Sequence, residues 1–506
     1  MTAQQRAAVW ILGDQLLADH PAIAAAGTDP SSITVVLIES QSRLAQHPYQ
    51  RKKLALVLSA MRHYAAKIRA AGYTVDERRA DDFLGGLRAH LTESGARHLF
   101  AMESAEYATR ALQRTLAAAL GVELTLLPNT QFLVGSFNPF PQPLPGKRYV
   151  MERFYRAMRA EHGLLLEPDG APSGGAWNFD KQNRKSLPPG HVPPPPPSFA
   201  PDAITLAAMA DADAIDGAVG TAAGFDYAVT RDDALLALER FIAERLPLFG
   251  AYEDAMRADD GTLYHSILSP YLNLGLLEPL ECAKAAEAAY RRGEAPINAV
   301  EGFVRQIIGW REFMYWQYWR QMPELAQKNS WGHTRALPSF FWDGETEMRC
   351  LSTVIRRAIA TGYTHHIERL MVVSNFAVLA GLSPQEVNGW FLACYVDAYD
   401  WVMQPNTIGM GLNADGGLTA TKPYIASANY INTMSDYCGG CRFNHKRRTG
   451  QDACPYNTLY WNFLIQHEPE LRANARFGPA VLGLSRLDES ERAAIRSDTA
   501  RLLKEL

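Results

Sequence analysis

The feature that most restricts the fold of this chain is a change of hydrophobic period near residue 130. Ahead of it, "AVWILGD" (8–14), "ITVVLIES" (33–40), "YTVDERRA" (73–80), "RHLFAMES" (97–104) and "VELTLLPN" (122–129) read as short strands bounded by turn residues. Between them lie amphipathic stretches of helical length, such as Lys52 to Ala71. Strands separated in this way pair in parallel, because parallel neighbours need a long crossover connection. Residues 1–130 are therefore predicted to form an α/β N-terminal domain around a parallel, Rossmann-like sheet. After residue 226 strand signals vanish and nearly every run has helical period, so an all-α C-terminal domain is expected over 226–506.

Between the two, residues 131–225 shift toward Pro, Gly, Ala and Asp, with "PPGHVPPPPPSF" (188–199) as the extreme. That composition favours a long interdomain linker, partly polyproline II in character, laid over the surface. Two segments within it are expected to be ordered, the basic helix "GKRYVMERFYRAMRAEHG" and "GGAWNFDKQNRK" (174–185). Their Arg153, Arg156, Arg159, Lys181, Arg184 and Lys185 interleave with Phe154, Tyr155, Trp177 and Phe179. Such a mixture suits phosphates and bases, and equally a solvated amphipathic face.

In a parallel sheet, ligands sit beyond the carboxyl ends of the strands, which makes Gly13, Asp14 and Gln15, with Glu39 after the second strand, the natural rim of a site. No G-x-G-x-x-G is present, which argues against a dinucleotide there. The formal net charge of −4 leaves no global basic field, so nucleic-acid contact has to come from a local patch. No secretory pattern and no run of about 18 apolar residues is visible, and a cytoplasmic protein without membrane contact is expected.

Six cysteines in 506 residues do not make a disulfide framework. Cys282 and Cys394 stand alone in apolar helical runs and are expected to be packing residues. Cys438 and Cys441 form a C-x2-C turn in "SDYCGGCRF", and Cys454 follows in "DACPYN". A metal centre with a fourth ligand is expected, from Cys350 or from His445, and the spacing leaves zinc and iron–sulfur both open.

In "YTHHIERLM", His365 and His366 are adjacent, and adjacent helical positions diverge by about 100°. The pair cannot act as an i, i+4 metal site, and at most one ring can reach an enclosed space. Nine of the ten tryptophans follow residue 176, a density that invites a flat aromatic cofactor or an electron path.

The order "YHSILSPYLNLGLL" (264–277), "IIGWREF" (307–313), "HHIERLM", "YVDAYDW" resembles that of the photolyase/cryptochrome flavoproteins. With "GDQL" near the N-terminus and four cysteines in the helical half, the chain is similar to the iron–sulfur bacterial branch, the prokaryotic (6-4) photolyases and their cryptochrome relatives. The resemblance implies FAD in the helical domain. His265 (for the usual threonine), Ser266, Leu268 and Ser269 would hold its pyrophosphate, and Trp310 and Arg311 would lie beside it. Arg369 and Asp397 would bracket the isoalloxazine, with Met403 or Asn406 facing N5. His366 would donate a proton to the lesion with His365 as support, and Tyr424 and Tyr430 would belong to the lesion pocket, near Met410. Leu370 stands where the animal enzymes carry a further histidine.

Trp390 and Trp342 would relay electrons, with Phe391 where bacterial relatives often have tyrosine. Cys350, Cys438, Cys441 and Cys454 would ligate a [4Fe-4S] cluster. A 6,7-dimethyl-8-ribityllumazine antenna would contact Gly13, Asp14, Gln15, Glu39 and Glu103, with Arg43 near a position where relatives offer an acid. The implied activity is light-driven repair of pyrimidine-pyrimidone (6-4) photoproducts, flipped out of UV-damaged DNA, by a monomer. Its grip on phosphates would come from the basic linker segments and from Lys446, Arg447 and Arg448. The alternative is a blue-light cryptochrome with the same cofactors and no repair; a light-independent iron–sulfur nucleic-acid-binding module is a third reading.

Overall fold

The computed structural model describes residues 7–473 and 481–506. Strands β1 (Ala7–Ile11), β2 (Ile33–Ser40), β3 (Thr74–Ala80), β4 (His98–Met102) and β5 (Glu123–Leu127) form one parallel sheet in the order β3-β2-β1-β4-β5. Each strand overlaps the run that predicts it. Side chains alternate across the sheet: Val9, Ile11, Val35 and Leu37 pack with the helix Arg51–Ala70, whereas Ala8, Trp10, Leu12 and Val36 pack with Leu87 and Leu91 of the helix Phe83–Ser94. With both faces covered, every residue of β1, Val35 to Ile38 of β2 and Leu99 to Met102 of β4 are apolar.

The strand order reverses between β1 and β4, so the chain leaves those strands in opposite directions and opens a crevice at their carboxyl ends. Gln15, fully buried, ties the strand ends beside it, with Nε2 donating to the carbonyl of Glu103 at 3.0 Å.

Among the described residues, every strand lies before residue 128 and the rest is helices and loops. The segment between the sheet and the main helical body does not float. Its helix Ala203–Asp213 lies along Arg51–Ala70, where Ser59 and Thr205 hydroxyls meet at 2.9 Å. Its helix Met151–His162 buries Phe154, Tyr155 and Met158 completely. That packing corrects one expectation. Arg159 is not offered to phosphates; it is fully buried and donates to the carbonyls of Leu164 (3.2 Å), Leu165 (2.7 Å) and Trp177 (3.2 Å), which fold back over it. Phe154 and Tyr155 likewise face the core instead of a nucleic-acid surface. Arg153, Lys181 and Lys185 remain exposed.

The sheet docks on the helical half through backbone groups. Leu16 N–H donates to Leu274 O at 2.7 Å and Gln50 N–H to Ala393 O at 2.8 Å. The Lys53 ammonium, buried, donates to the carbonyls of Leu392 (2.8 Å) and Ala398 (2.6 Å). Burial pushes its pKa down to about 7. No helix among the described residues is long and apolar enough to cross a membrane.

Two glycines give the same substitution opposite signs. The helices Leu246–Tyr252 and Ile297–Val304 approach so closely that a Cβ on Gly250 would lie 2.6 Å from Ala299 Cα and 2.8 Å from its nitrogen. Backbone cannot yield as a side chain would, so Gly250→Ala is expected to cost about 1–3 kcal/mol. Gly389 sits inside the helix Pro384–Cys394 with nothing within 4 Å of an added Cβ, and Gly389→Ala should gain roughly 0.5–1 kcal/mol from helix propensity. Thermal-unfolding midpoints of the two variants should therefore move apart from the parent, and a Gly250→Ala midpoint at or above it would refute the close approach.

Candidate active site

Three helices lining one large cavity are each wound as π-helix where they face it: Arg305–Arg311, Glu368–Ser374 and Gln404–Gly411. Such wider turns recur at functional sites because they rotate side chains out of the ordinary helical stagger. Here they bring Trp310, Arg311, Arg369, Asn406 and Met410 to the lining of a cavity of about 1380 Å³. A loop leading into the helix Ser269–Leu274 adds His265, Ser266 and Ser269 to the same lining. Its backbone is strained, with φ of 47° at Leu263 and 56° at Ile267. A β-branched residue in that region costs about 1–3 kcal/mol, a cost that persists only where surrounding structure enforces it.

The polar centre is a fork-to-fork pair. Arg369 donates from Nη1 to Asp397 Oδ1 at 2.9 Å, from Nη2 to Oδ2 at 3.1 Å, and from Nε to Thr364 O at 2.7 Å. Asp397 is further fixed by Ser269 Oγ at 2.7 Å, while Asn273 donates to its carbonyl at 2.8 Å. Burial resists the charge on Arg369, but the Asp397 carboxylate more than compensates and its pKa stays raised. A cation and a carboxylate so held can set the charge state of a flat redox ring between these walls.

Only one of the adjacent histidines reaches the cavity. His366 is open to it, and the surrounding protein, with the Arg369 cation, pushes its pKa down to about 4. His365 is fully buried behind, its ring stacked on His265 at 4.5 Å and 10°. Glu368, 3.8 Å from His365, accepts from Arg357 and from the Tyr437 hydroxyl. His265 is pushed down to about 3 by burial and then by His366. These rings are therefore neutral at pH 7 in the free protein.

Aromatic rings run from the cavity toward the surface. Phe391 lines the cavity, and Trp390 meets it at 5.1 Å. Trp390 Nε1 donates to Phe341 O at 2.6 Å, and the next residue, Trp342, is 38% exposed. Sequence reasoning missed Tyr395, a buried ring stacked on Phe391 at 5.3 Å and 5.7 Å from Trp390; no motif marks it. Leu268 is buried at the start of its helix and does not line the cavity. Tyr424 and Tyr430 also lie outside the lining; the Tyr430 hydroxyl is hydrogen-bonded to Asp254.

The crevice beyond the strand ends forms a second cavity of about 740 Å³. Gly13, Asp14 and Glu39 line it, together with Arg43, Lys53, Glu106 and, from the helical half, Tyr399. Arg43 and Glu106 form an ion pair, and Glu106 Oε1 also accepts from Asp400 N–H at 2.9 Å. Burial, then the Glu106 charge, raises Asp14 to about 7. Gln15 and Glu103 do not line the space; Gln15 ties the strand ends together, and the Glu103 carboxylate faces Arg110 at 3.3 Å. Glu106 and Tyr399 were not legible because strand crossover and domain docking, not sequence proximity, bring them here.

The cysteines come from three elements. Cys350 lies in the first turn of the helix Arg349–Thr361, Cys438 lies within the turn Tyr437–Gly440 and Cys441 directly after it, and Cys454 caps the helix Pro455–Gln466. Burial and then the thiols of Cys454, Cys438 and Cys441 push Cys350 well up, which places the four in one neighbourhood. Among the described residues, no three His, Cys, Asp or Glu side chains converge as a single ion would require. Zinc needs every sulfur about 2.3 Å from one point. A cubane cluster takes each thiolate on a separate iron, and an all-thiol donor set is the kind of ligand it uses. Cys282 and Cys394 are buried singly in the core.

A family model described as deoxyribodipyrimidine photo-lyase-related protein matches residues 9–227. A protein of Agrobacterium fabrum named (6-4) photolyase is 43% identical over 98% of this chain and 99% of its own. Of solved structures, a bacterial class III photolyase from Agrobacterium tumefaciens is similar with a TM-score of 0.60, covering 100% of this chain and 99% of that one at 18% identity. A cryptochrome from Synechocystis sp. PCC6803 follows at 0.58, covering 81% and 83% at 15% identity. At such identities the two structures speak for the fold alone.

Proposed function

The chain belongs to the photolyase/cryptochrome family, and from that premise we propose that it is a DNA (6-4) photolyase. The observation that carries this reading is the meeting of the Arg369–Asp397 pair and the open His366 ring on one large cavity. Its walls suit FAD: Trp310 offers a flat apolar face, Asn406 an amide, and Ser266 a hydroxyl for phosphate oxygens, while the Ser269 hydroxyl is committed to Asp397. When bound and reduced, the flavin supplies the photoexcited electron.

The protein's own residues then do three things. Arg369 and Asp397 hold a fixed dipole against the redox ring. His366 holds a proton site at its imidazole nitrogens where a flipped-out base enters. In the free cavity the Arg369 cation disfavours imidazolium; negative charge arriving on the lesion reverses that balance, so the proton becomes available as the electron does. The flipped base must reach this depth because a buried cavity cannot meet a stacked one.

The second cavity is assigned to a lumazine antenna, with Asp14, Arg43, Glu106 and Lys53 as its polar contacts, and the four cysteines to a 4Fe-4S cluster. DNA is held by exposed Arg153, Lys181 and Lys185, and by Lys446, Arg447 and Arg448 beside the cluster, with binding that weakens as salt rises.

A second reading, a photoreceptor without repair, draws on Phe391, which puts a ring without a phenolic proton at the cavity wall of the electron path. One experiment separates them. The reduced protein is illuminated with an oligonucleotide carrying a defined (6-4) lesion, and recovered thymines are counted by chromatography. Recovery is expected; none, despite bound FAD, would assign the chain to the photoreceptors.

A further inference from the structure

Arg245 is a buried cation without a counter-charge. It joins the helices Arg231–Glu244 and Leu246–Tyr252 and is 1% exposed. Nη2 lies 3.5 Å from the carbonyl of Ser266, at the limit of a hydrogen bond, and Nε and Nη1 have no partner. Its neighbour Glu244 is taken by Arg240, and Arg245 makes no ion pair among the described residues. A guanidinium remains charged at neutral pH, and an uncompensated buried charge costs several kcal/mol.

The other buried arginines around the cavity are matched. Arg369 faces Asp397, Arg311 faces Glu312 at 3.0 Å, and Arg305 faces Asp180 and Glu301 at 3.3 and 3.4 Å. Arg245 is therefore the group here that an incoming anion would relieve. Its position says which end of a ligand that anion belongs to. The carbonyl it approaches is that of Ser266, whose side chain lines the large cavity in the strained loop and carries the hydroxyl assigned to phosphate oxygens. Ser266, Ile267 and Tyr363 also border a further cleft of about 910 Å³. Burial lowers the pKa of Arg245, and an adjacent anion would raise it again.

We propose that Arg245 is the counter-cation for the diphosphate of the bound dinucleotide flavin, acting across the Ser266 loop while the Ser266 hydroxyl makes the short contact. It is a positioning residue, and the inference rests on the flavin reading of the cavity. It predicts discrimination by phosphate content: FAD depends on Arg245, FMN less so, and riboflavin not at all.

The test uses full-length protein. FAD per chain is read from the absorbance of purified holoprotein, and FAD release after dilution from recovery of free-flavin fluorescence. Affinities for FAD, FMN and riboflavin are then measured by quenching on the stripped chain. Arg245→Met is expected to release FAD at least about tenfold faster, with riboflavin affinity unchanged. Arg245→Lys keeps the charge and should restore most FAD binding, which a packing role would not predict; Arg245→Gln serves if methionine does not fold. Unchanged FAD release in the uncharged variants, or an equal loss for FAD and riboflavin, would overturn the proposal. A wild-type protein that binds no flavin would instead overturn the reading of the cavity, and this inference with it.

Discussion

His366→Ala is expected to lower (6-4) repair by about 10²–10⁴-fold, the usual range for loss of a positioned proton donor, with FAD content unchanged. The two effects separate because His366 opens onto the cavity instead of packing in the core, so its removal deletes a proton site and little else. A pH profile adds a second readout. In the free protein the ring is pushed down to about 4 by the surrounding protein and by Arg369, and an anionic lesion moves that value upward. Activity that needs the imidazolium is present below the pKa of the complex and lost as pH rises through it, so the wild-type rate should fall on the alkaline side while the residual alanine rate stays flat. Equal thymine recovery by both proteins would remove His366 from the mechanism. His365→Ala should behave differently, reducing folded yield, because that ring is fully buried and stacked on His265.

Cys350→Ser is the second large effect. It should yield protein with little or no iron and a sharply lowered unfolding midpoint. Cys350 begins one helix, and its three partners sit in a turn and a helix cap far along the chain. Cross-linking a loop of that size restricts the unfolded chain by about 4–5 kcal/mol on the disulfide analogy, and metal binding adds its own folding free energy. Serine leaves a hydroxyl that does not ligate iron comparably. Cys282→Ser is the control: a buried, solitary thiol whose loss should cost packing but no iron. Full iron content in Cys350→Ser would refute the ligand assignment.

The inner strands were legible because a sheet covered on both faces writes apolar runs between turn residues; edge strand β3, polar in most positions, was legible from its place in the alternation with helices, and all five runs became strands. Site residues were legible where chemistry leaves a motif: Ser266, Ser269, Trp310, Arg311, Arg369, Asp397 and Asn406 lie far apart in sequence and border one cavity. What stayed hidden depends on tertiary partners. A π turn barely alters the hydrophobic period, so its rotation of Trp310, Arg369 and Asn406 into register left no trace in the sequence. Arg159 continued an apparently solvated basic face at Arg153 and Arg156, and only the returning chain at Leu164 and Leu165 shows why it is buried. Arg245, in "AERLPLF", looked like any surface charge at a helix end.

Lys53 reaches from the sheet's long helix to the carbonyls of Leu392 and Ala398, on either side of Asp397. It also lines the strand-end crevice. That single ammonium acts as a strut between the two chambers, fixing their separation and mutual tilt. On the proposed assignment of an antenna pigment to one chamber and a flavin to the other, energy transfer depends steeply on both quantities, so the efficiency of light harvesting would be written into a salt-insensitive internal brace and would not wait on any hinge.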